Sequence, residues 1–183
     1  MTPDLPLAST RPPGLEDSGY LRERQEPRPG DVFYLHLRDV LDAIRAHATS
    51  KKIRVLDFGS GGSPYRFLFP NAEYLRADLE GEGLDFTISP EGRLAGETTA
   101  DFELILSTQV LEHVPDPAVY LSECRRLLRP GGKLLLTTHG TYEDHLCPSD
   151  YFRWTADGLR LVLGNAGFKV NTIKKLTTAG RSL

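Results

Sequence analysis

Two stretches of this 183-residue chain concentrate side chains that could do chemistry. The first is IRVLDFGSGGSPY, in which an apolar run ends at Asp57 and is followed by Gly59, Gly61 and Gly62. Glycines directly behind a strand permit a tight turn and close backbone approach by a ligand, with the N–H groups of a following helix N-terminus turned toward it. A nucleotide-like ligand is expected. A dinucleotide fingerprint would read G-x-G-x-x-G straight after the strand, whereas here an acid stands two residues before the first glycine. The second stretch, HGTYEDHLCPSDYFRWT, carries His139, Tyr142, Asp144, His145, Asp150, Tyr151, Arg153 and the sole tryptophan, Trp154. That density in a connection reads as a site on a scaffold, against the plainer alternative of an aromatic-stapled loop on a sheet edge. His139, His145 and Cys147 have no compact ligand spacing, so no metal is expected.

The elements that must position these residues follow from periodicity. Phe33, Leu37, Val40, Leu41, Ile44 and Ala48 recur at three- and four-residue intervals behind Asp31, which predicts an amphipathic helix over 32–48. Short apolar runs predict strands at 53–58, 73–78, 86–88, 102–107, 133–138 and 168–176. Asp116 with Pro117 behind it opens a helix whose apolar face is Leu121, Cys124, Leu127 and Leu128, with Gly131 as its stop. Thr155 caps another, with Leu159, Val162 and Leu163 on one face and Gly167 at the end. Runs such as FELILS and KLLLTT suit strands covered on both faces. The fold class is therefore α/β, a doubly wound and mostly parallel sheet. Six of the thirteen prolines fall within residues 1–30, which are read as an arm without regular structure ahead of one domain over 31–183. Residues 89–100 read as a surface connection.

Composition narrows the function classes. A net charge of −3 with scattered Lys and Arg offers no footprint for a nucleic-acid backbone. Two cysteines, Cys124 and Cys147, cannot form a disulfide framework, and nothing approaches a membrane span in length. A cytoplasmic protein is the expectation.

The ordered motifs resemble the class I S-adenosylmethionine-dependent methyltransferases, in particular the type 11-like group. VLDFGSGGS resembles the first motif of that family, with Ser63 at the third glycine, and EYLRADLE places Asp78 at the end of the second strand, 21 residues beyond Asp57. LSTQVLEHVPDP and LLRPGGKLLLTT resemble the motifs at the fourth and fifth strands. The resemblance implies S-adenosylmethionine as cofactor, with Asp78 accepting from the ribose hydroxyls. The implied contacts are Asp57, Gly59, Ser60 and Gly61 in the loop, Leu79 beside Asp78, Asp85 and Phe86 at the third strand, and Ser107, Thr108 and Gln109 at the fourth.

The His…Pro…Asp-Tyr-Phe-Arg-x-Thr pattern of 139–155 resembles group members associated with surface-polysaccharide and glycan clusters. It implies a small-molecule or glycan acceptor methylated at a hydroxyl, His145 as general base with His139 second, and Tyr142, Tyr151 and Arg153 shaping the acceptor pocket. His113 is expected to be structural or near the methionine moiety, and His36 and His47 to be ordinary helix residues. A catalytically idle cofactor-binding module is the alternative. A nicotinamide oxidoreductase is disfavoured by Asp57 and by the lack of a Tyr-x-x-x-Lys dyad. The family's final strand hairpin is expected to be incomplete, leaving an apolar sheet edge open to self-association.

Overall fold

The computed structural model describes residues 18–96, 101–145 and 149–176. Five strands form one sheet: β1 (Arg54–Phe58), β2 (Glu73–Asp78), β3 (Phe86–Thr87), β4 (Phe102–Thr108) and β5 (Leu128–Thr137). Their order is β3-β2-β1-β4-β5, and every pairing is parallel. The direction of winding reverses between β1 and β4, and that is where an open α/β sheet leaves a crevice beyond its strand ends.

Alternation along the strands feeds two cores. Leu56, Phe58 and Ile105 face the side covered by α3 (Pro117–Leu127) and α4 (Ala156–Asn165). Val55, Leu104 and Leu106 face the side covered by α2 (Tyr34–Arg45), together with Tyr65, Leu68 and Phe69. The sheet is thus doubly wound, as the unbroken apolar runs required. The caps read from sequence are in place: the Asp116 carboxylate accepts from Ala118 and Val119 N–H, and the Thr155 hydroxyl from Gly158 N–H. A hydrogen-bonded chain pins the crevice end of the sheet, where buried Tyr120 donates to the Phe58 carbonyl at 2.9 Å and meets the Ser107 hydroxyl at 2.9 Å.

Four expectations need correction. The arm is not without structure, because α1 (Ser18–Gln25) precedes α2 and Arg22 clamps Asp31 through both carboxylate oxygens. No α-helix follows the glycine loop, and a single 3-10 turn, Arg66–Leu68, carries the chain to β2. Gly131 does not stop α3: the helix ends at Leu127, and Gly131 (φ +80°) lies inside β5 beside a register shift against β4. A Cβ on neighbouring Gly132 would stand 2.7 Å from the Phe102 carbonyl oxygen, so close strand approach is what these glycines serve. Residues 168–176 join no ladder. Phe168 and Val170 pack on the α3 side and Leu176 on the α2 side, so the segment passes between the faces and, among the described residues, β5 remains the sheet's edge. Among the described residues, no helix is long and apolar enough to cross a membrane.

Candidate active site

The crevice has two walls, and the first is the loop behind β1. Gly59 and Ser60 donate their N–H groups to the Ala77 carbonyl of β2, which lays the loop across the neighbouring strand. A Cβ at Gly59 (φ +85°) would meet a Val110 methyl at 2.5 Å, so glycine is demanded here by both backbone and packing. The Asp78 carboxylate accepts from Gly61 N–H at 2.7 Å and from Leu79 N–H at 2.8 Å. Leu79, 44% exposed, adds an apolar surface beside it. These features fit a nucleoside cofactor. Arg76 reinforces the loop by donating to the Gly61 carbonyl and the Ser63 hydroxyl.

Three residues expected to touch the cofactor also make hydrogen bonds that brace the sheet. Asp57 is 2% exposed and accepts from the Tyr74 hydroxyl at 2.7 Å, and burial pushes its pKa up to about 7. Ser107 is fully buried in the Tyr120 network. Asp85 exchanges hydrogen bonds with the Arg76 backbone, bracing β2 against the turn before β3. Ser60 is buried, Phe86 packs on the α3-side core, and Thr108 closes β4 opposite Thr137.

The second wall is assembled from distant segments. Its base is the 3-10 turn Leu111–His113, entered through Gln109 in the left-handed region at φ +56°. Residues 149–152 are laced to that turn. Tyr151 and Phe152 N–H donate to the Glu112 carbonyl, and His113 Nδ1 lies 2.5 Å from the Ser149 carbonyl. The Thr138 hydroxyl donates to Glu112 Oε2 at 2.7 Å. His139, 6% exposed, stacks on Tyr142 with ring centroids 4.3 Å apart and stands edge-on to His145 at 4.9 Å. His113 approaches His145 at the same separation. Burial pushes His139 down to about pH 3, lowers His36 and His113, and raises Glu112.

Arg153 is not open to an acceptor. Its guanidinium donates to both Asp150 oxygens and to the Tyr142, Glu143 and Phe152 carbonyls, so it is the brace that shapes the segment. The same contact holds Asp150 well below the usual carboxylate range, and Asp150 in turn accepts from His145 N–H at 2.8 Å. Tyr142 lines the imidazole cluster, and Tyr151 is 47% exposed. His36 is no ordinary helix residue: from α2 it stacks on His139 at 5.4 Å and faces Tyr142 at 5.7 Å. Its position among Phe33, Leu37 and Val40, inside the apolar stripe, was the available signal. Cys147 lies outside the described residues, and the His and acid groups that do converge are Glu112, His113 and His145.

Residues 32–173 match a family model described as a methyltransferase domain. The ubiquinone biosynthesis O-methyltransferase of Xanthomonas oryzae pv. oryzae is 35% identical over 114 residues, covering 54% of this chain and 48% of that protein. The chain thus spans about half the length of that relative. Among solved structures, 1,6-didemethyltoxoflavin-N1-methyltransferase from Burkholderia thailandensis, with bound 1,6-didemethyltoxoflavin and S-adenosylhomocysteine, superposes with a TM-score of 0.62 at 22% identity, over 79% of this chain and 74% of that one. A SAM-dependent methyltransferase from Aquifex aeolicus gives 0.59 at 17% identity, over 86% and 92%. At such identities the superpositions speak for the fold, and the family match rests on the sequence from Val32 to Ile173. This chain belongs to the methyltransferase-domain family and has the class I S-adenosylmethionine-dependent methyltransferase fold.

Proposed function

We propose that the protein transfers a methyl group from S-adenosylmethionine to a hydroxyl of a small-molecule acceptor. The observation that carries this reading is the meeting, at the carboxyl ends of adjacent strands, of a carboxylate-held glycine loop and a cluster of imidazoles. The name of the Xanthomonas relative, an O-methyltransferase, supports the same acceptor atom. When bound, the cofactor supplies an activated methyl on a sulfonium, so little covalent chemistry is asked of the protein.

Three tasks remain for this chain's residues. Asp78 and the loop backbone orient the cofactor's nucleoside. Tyr142, Tyr151 and the imidazole wall around them hold the acceptor in line and exclude water. An imidazole takes the hydroxyl proton: His145 is the first choice because its ring lies at the half-buried mouth of the cluster, while His139 is deeper and strongly resists protonation.

The test is an acceptor screen by mass spectrometry in which phenolic and glycan hydroxyl compounds are offered with S-adenosylmethionine. Gain of one methyl by a hydroxyl compound supports the reading. Tight cofactor binding with no methyl transferred to any acceptor would favour the idle binding module instead.

A further inference from the structure

The two arginines of α1 have different surroundings. Arg22 is held by Asp31 and Glu23. Arg24, half-buried, bonds no carboxylate among the described residues: its guanidinium lies over the Tyr20 ring, 3.5 Å from the centroid, and one N–H reaches the Tyr20 carbonyl at 3.4 Å. Four residues apart, Tyr20 and Arg24 share one face of the helix. Stacking covers a flat side of the guanidinium and leaves its edge, which carries five N–H groups, largely uncommitted.

That cation stands beside the crevice. Its charge acts on His36 and Tyr142 of the imidazole wall and on Tyr65, the buried ring that follows the glycine loop, opposing a proton on the first and easing one off the other two. Rings drawn from both walls thus place Arg24 where the walls meet. Tyr142 links it to the imidazoles, since that ring borders His36 at 5.7 Å, His139 at 4.3 Å and His145 at 5.6 Å. A half-buried cation that no acid answers is costly among aromatic rings, and an arriving anion offsets that cost. One guanidinium balances a single negative charge and matches a carboxylate through two parallel N–H···O bonds, which favours a carboxylate over a phosphate dianion.

From this placement we infer that Arg24, stacked on Tyr20, is a subsite for a carboxylate on the acceptor, so that the molecule methylated is a hydroxy acid. Its hydroxyl goes to the imidazoles and its carboxylate to α1. The inference rests on the proposed function for the identity of the acceptor, while binding of the anion can be read without turnover. Arg24 then selects the acceptor and orients it: a neutral hydroxyl compound of the same shape lacks the second anchor and leaves the guanidinium unanswered.

The experiment titrates the full chain, saturated with S-adenosylhomocysteine, with caffeate beside caffeamide and with glucuronate beside glucuronamide, followed by calorimetry. At least one acid should bind about 10- to 100-fold more tightly than its amide, and Arg24→Ala should erase that preference, with Arg24→Lys restoring part of it. Arg28→Ala, an exposed arginine paired with Glu26, should leave the preference unchanged. The inference is overturned if neither acid is preferred to its amide, or if the preference survives Arg24→Ala. A loss of S-adenosylhomocysteine affinity in Arg24→Ala with the acid preference intact overturns it too, by assigning the guanidinium to the cofactor's own carboxylate. Methyl transfer from S-adenosylmethionine, followed by mass spectrometry, separates the two readings: an Arg24-dependent preference without transfer sinks the methyltransferase proposal only, and equal transfer to acid and amide sinks the subsite only.

Discussion

The two walls of the crevice are made in opposite ways. The loop wall is local and mostly backbone: within residues 57–79, glycine N–H groups, the Ala77 carbonyl and the Asp78 carboxylate hold one another. The imidazole wall draws side chains from α2, from the turn behind β4 and from 139–145, joined over more than a hundred positions between His36 and His139. Under the proposed function, local backbone geometry would serve the ligand common to the family, and the wall collected from afar the particular acceptor.

The largest expected effect falls on the imidazole wall. His145→Ala should lower turnover by about 10²- to 10⁴-fold with cofactor affinity nearly unchanged, as measured by steady-state rates beside a calorimetric titration. A matching loss of cofactor affinity would mean that the walls are not separable. On the loop wall, Gly59→Val forces a branched side chain into Val110 at a positive φ, and should destabilise the fold by about 2–4 kcal/mol in chemical denaturation. Cofactor binding would then fail through the fold rather than through direct obstruction. Asp78→Ala should weaken cofactor binding by about 1.5–3 kcal/mol, since a charged acceptor is lost, while activity at saturating cofactor stays close to normal. Unchanged affinity would detach Asp78 from the cofactor.

The smallest effects concern acid, to which the two walls respond with opposite sign. Asp57 titrates near pH 7 when folded against the usual 3.8, so the folded state holds its proton more tightly and this group's contribution declines as pH rises from about 4 to 7. His139 titrates near 3 against the usual 6.5, so the unfolded chain takes the proton first and its contribution is lost as pH falls below 6.5. Denaturation at pH 5 and pH 7 should therefore show Asp57→Asn gaining relative stability at pH 7 and His139→Gln gaining it at pH 5. Equal changes at both pH values would show that neither group is held as the structure has it.

How much of this was legible in the sequence follows the same division. The strands β1 to β5, the caps at Asp116 and Thr155 and the Asp78 position could be read directly, because each depends on neighbours within a few residues or on simple alternation. Arg153 was read as facing an acceptor since nothing local shows that five N–H groups will find carbonyls and Asp150 on its own segment. Ser107 was assigned to the cofactor because its inward orientation is set by Tyr120, thirteen residues away on a helix. The strand over 168–176 was read from apolar alternation that in fact serves two different faces in turn. His36 was discounted because only tertiary packing brings α2 over the imidazoles.

The two backbone bonds on Asp78 have a consequence for the speed and selectivity of binding. Gly61 and Leu79 N–H hold the carboxylate's rotamer in the folded chain, so under the proposed function an arriving nucleoside would meet an acceptor that is already aimed and need not wait for a side-chain search. Freezing a side chain at the moment of binding ordinarily costs about 0.5–1.5 kcal/mol, and here that cost belongs to folding. A rigid acceptor is also a strict one: a sugar lacking a hydroxyl leaves a gap that the carboxylate cannot swing to close, so deoxy analogues should be refused more sharply than a mobile side chain would refuse them.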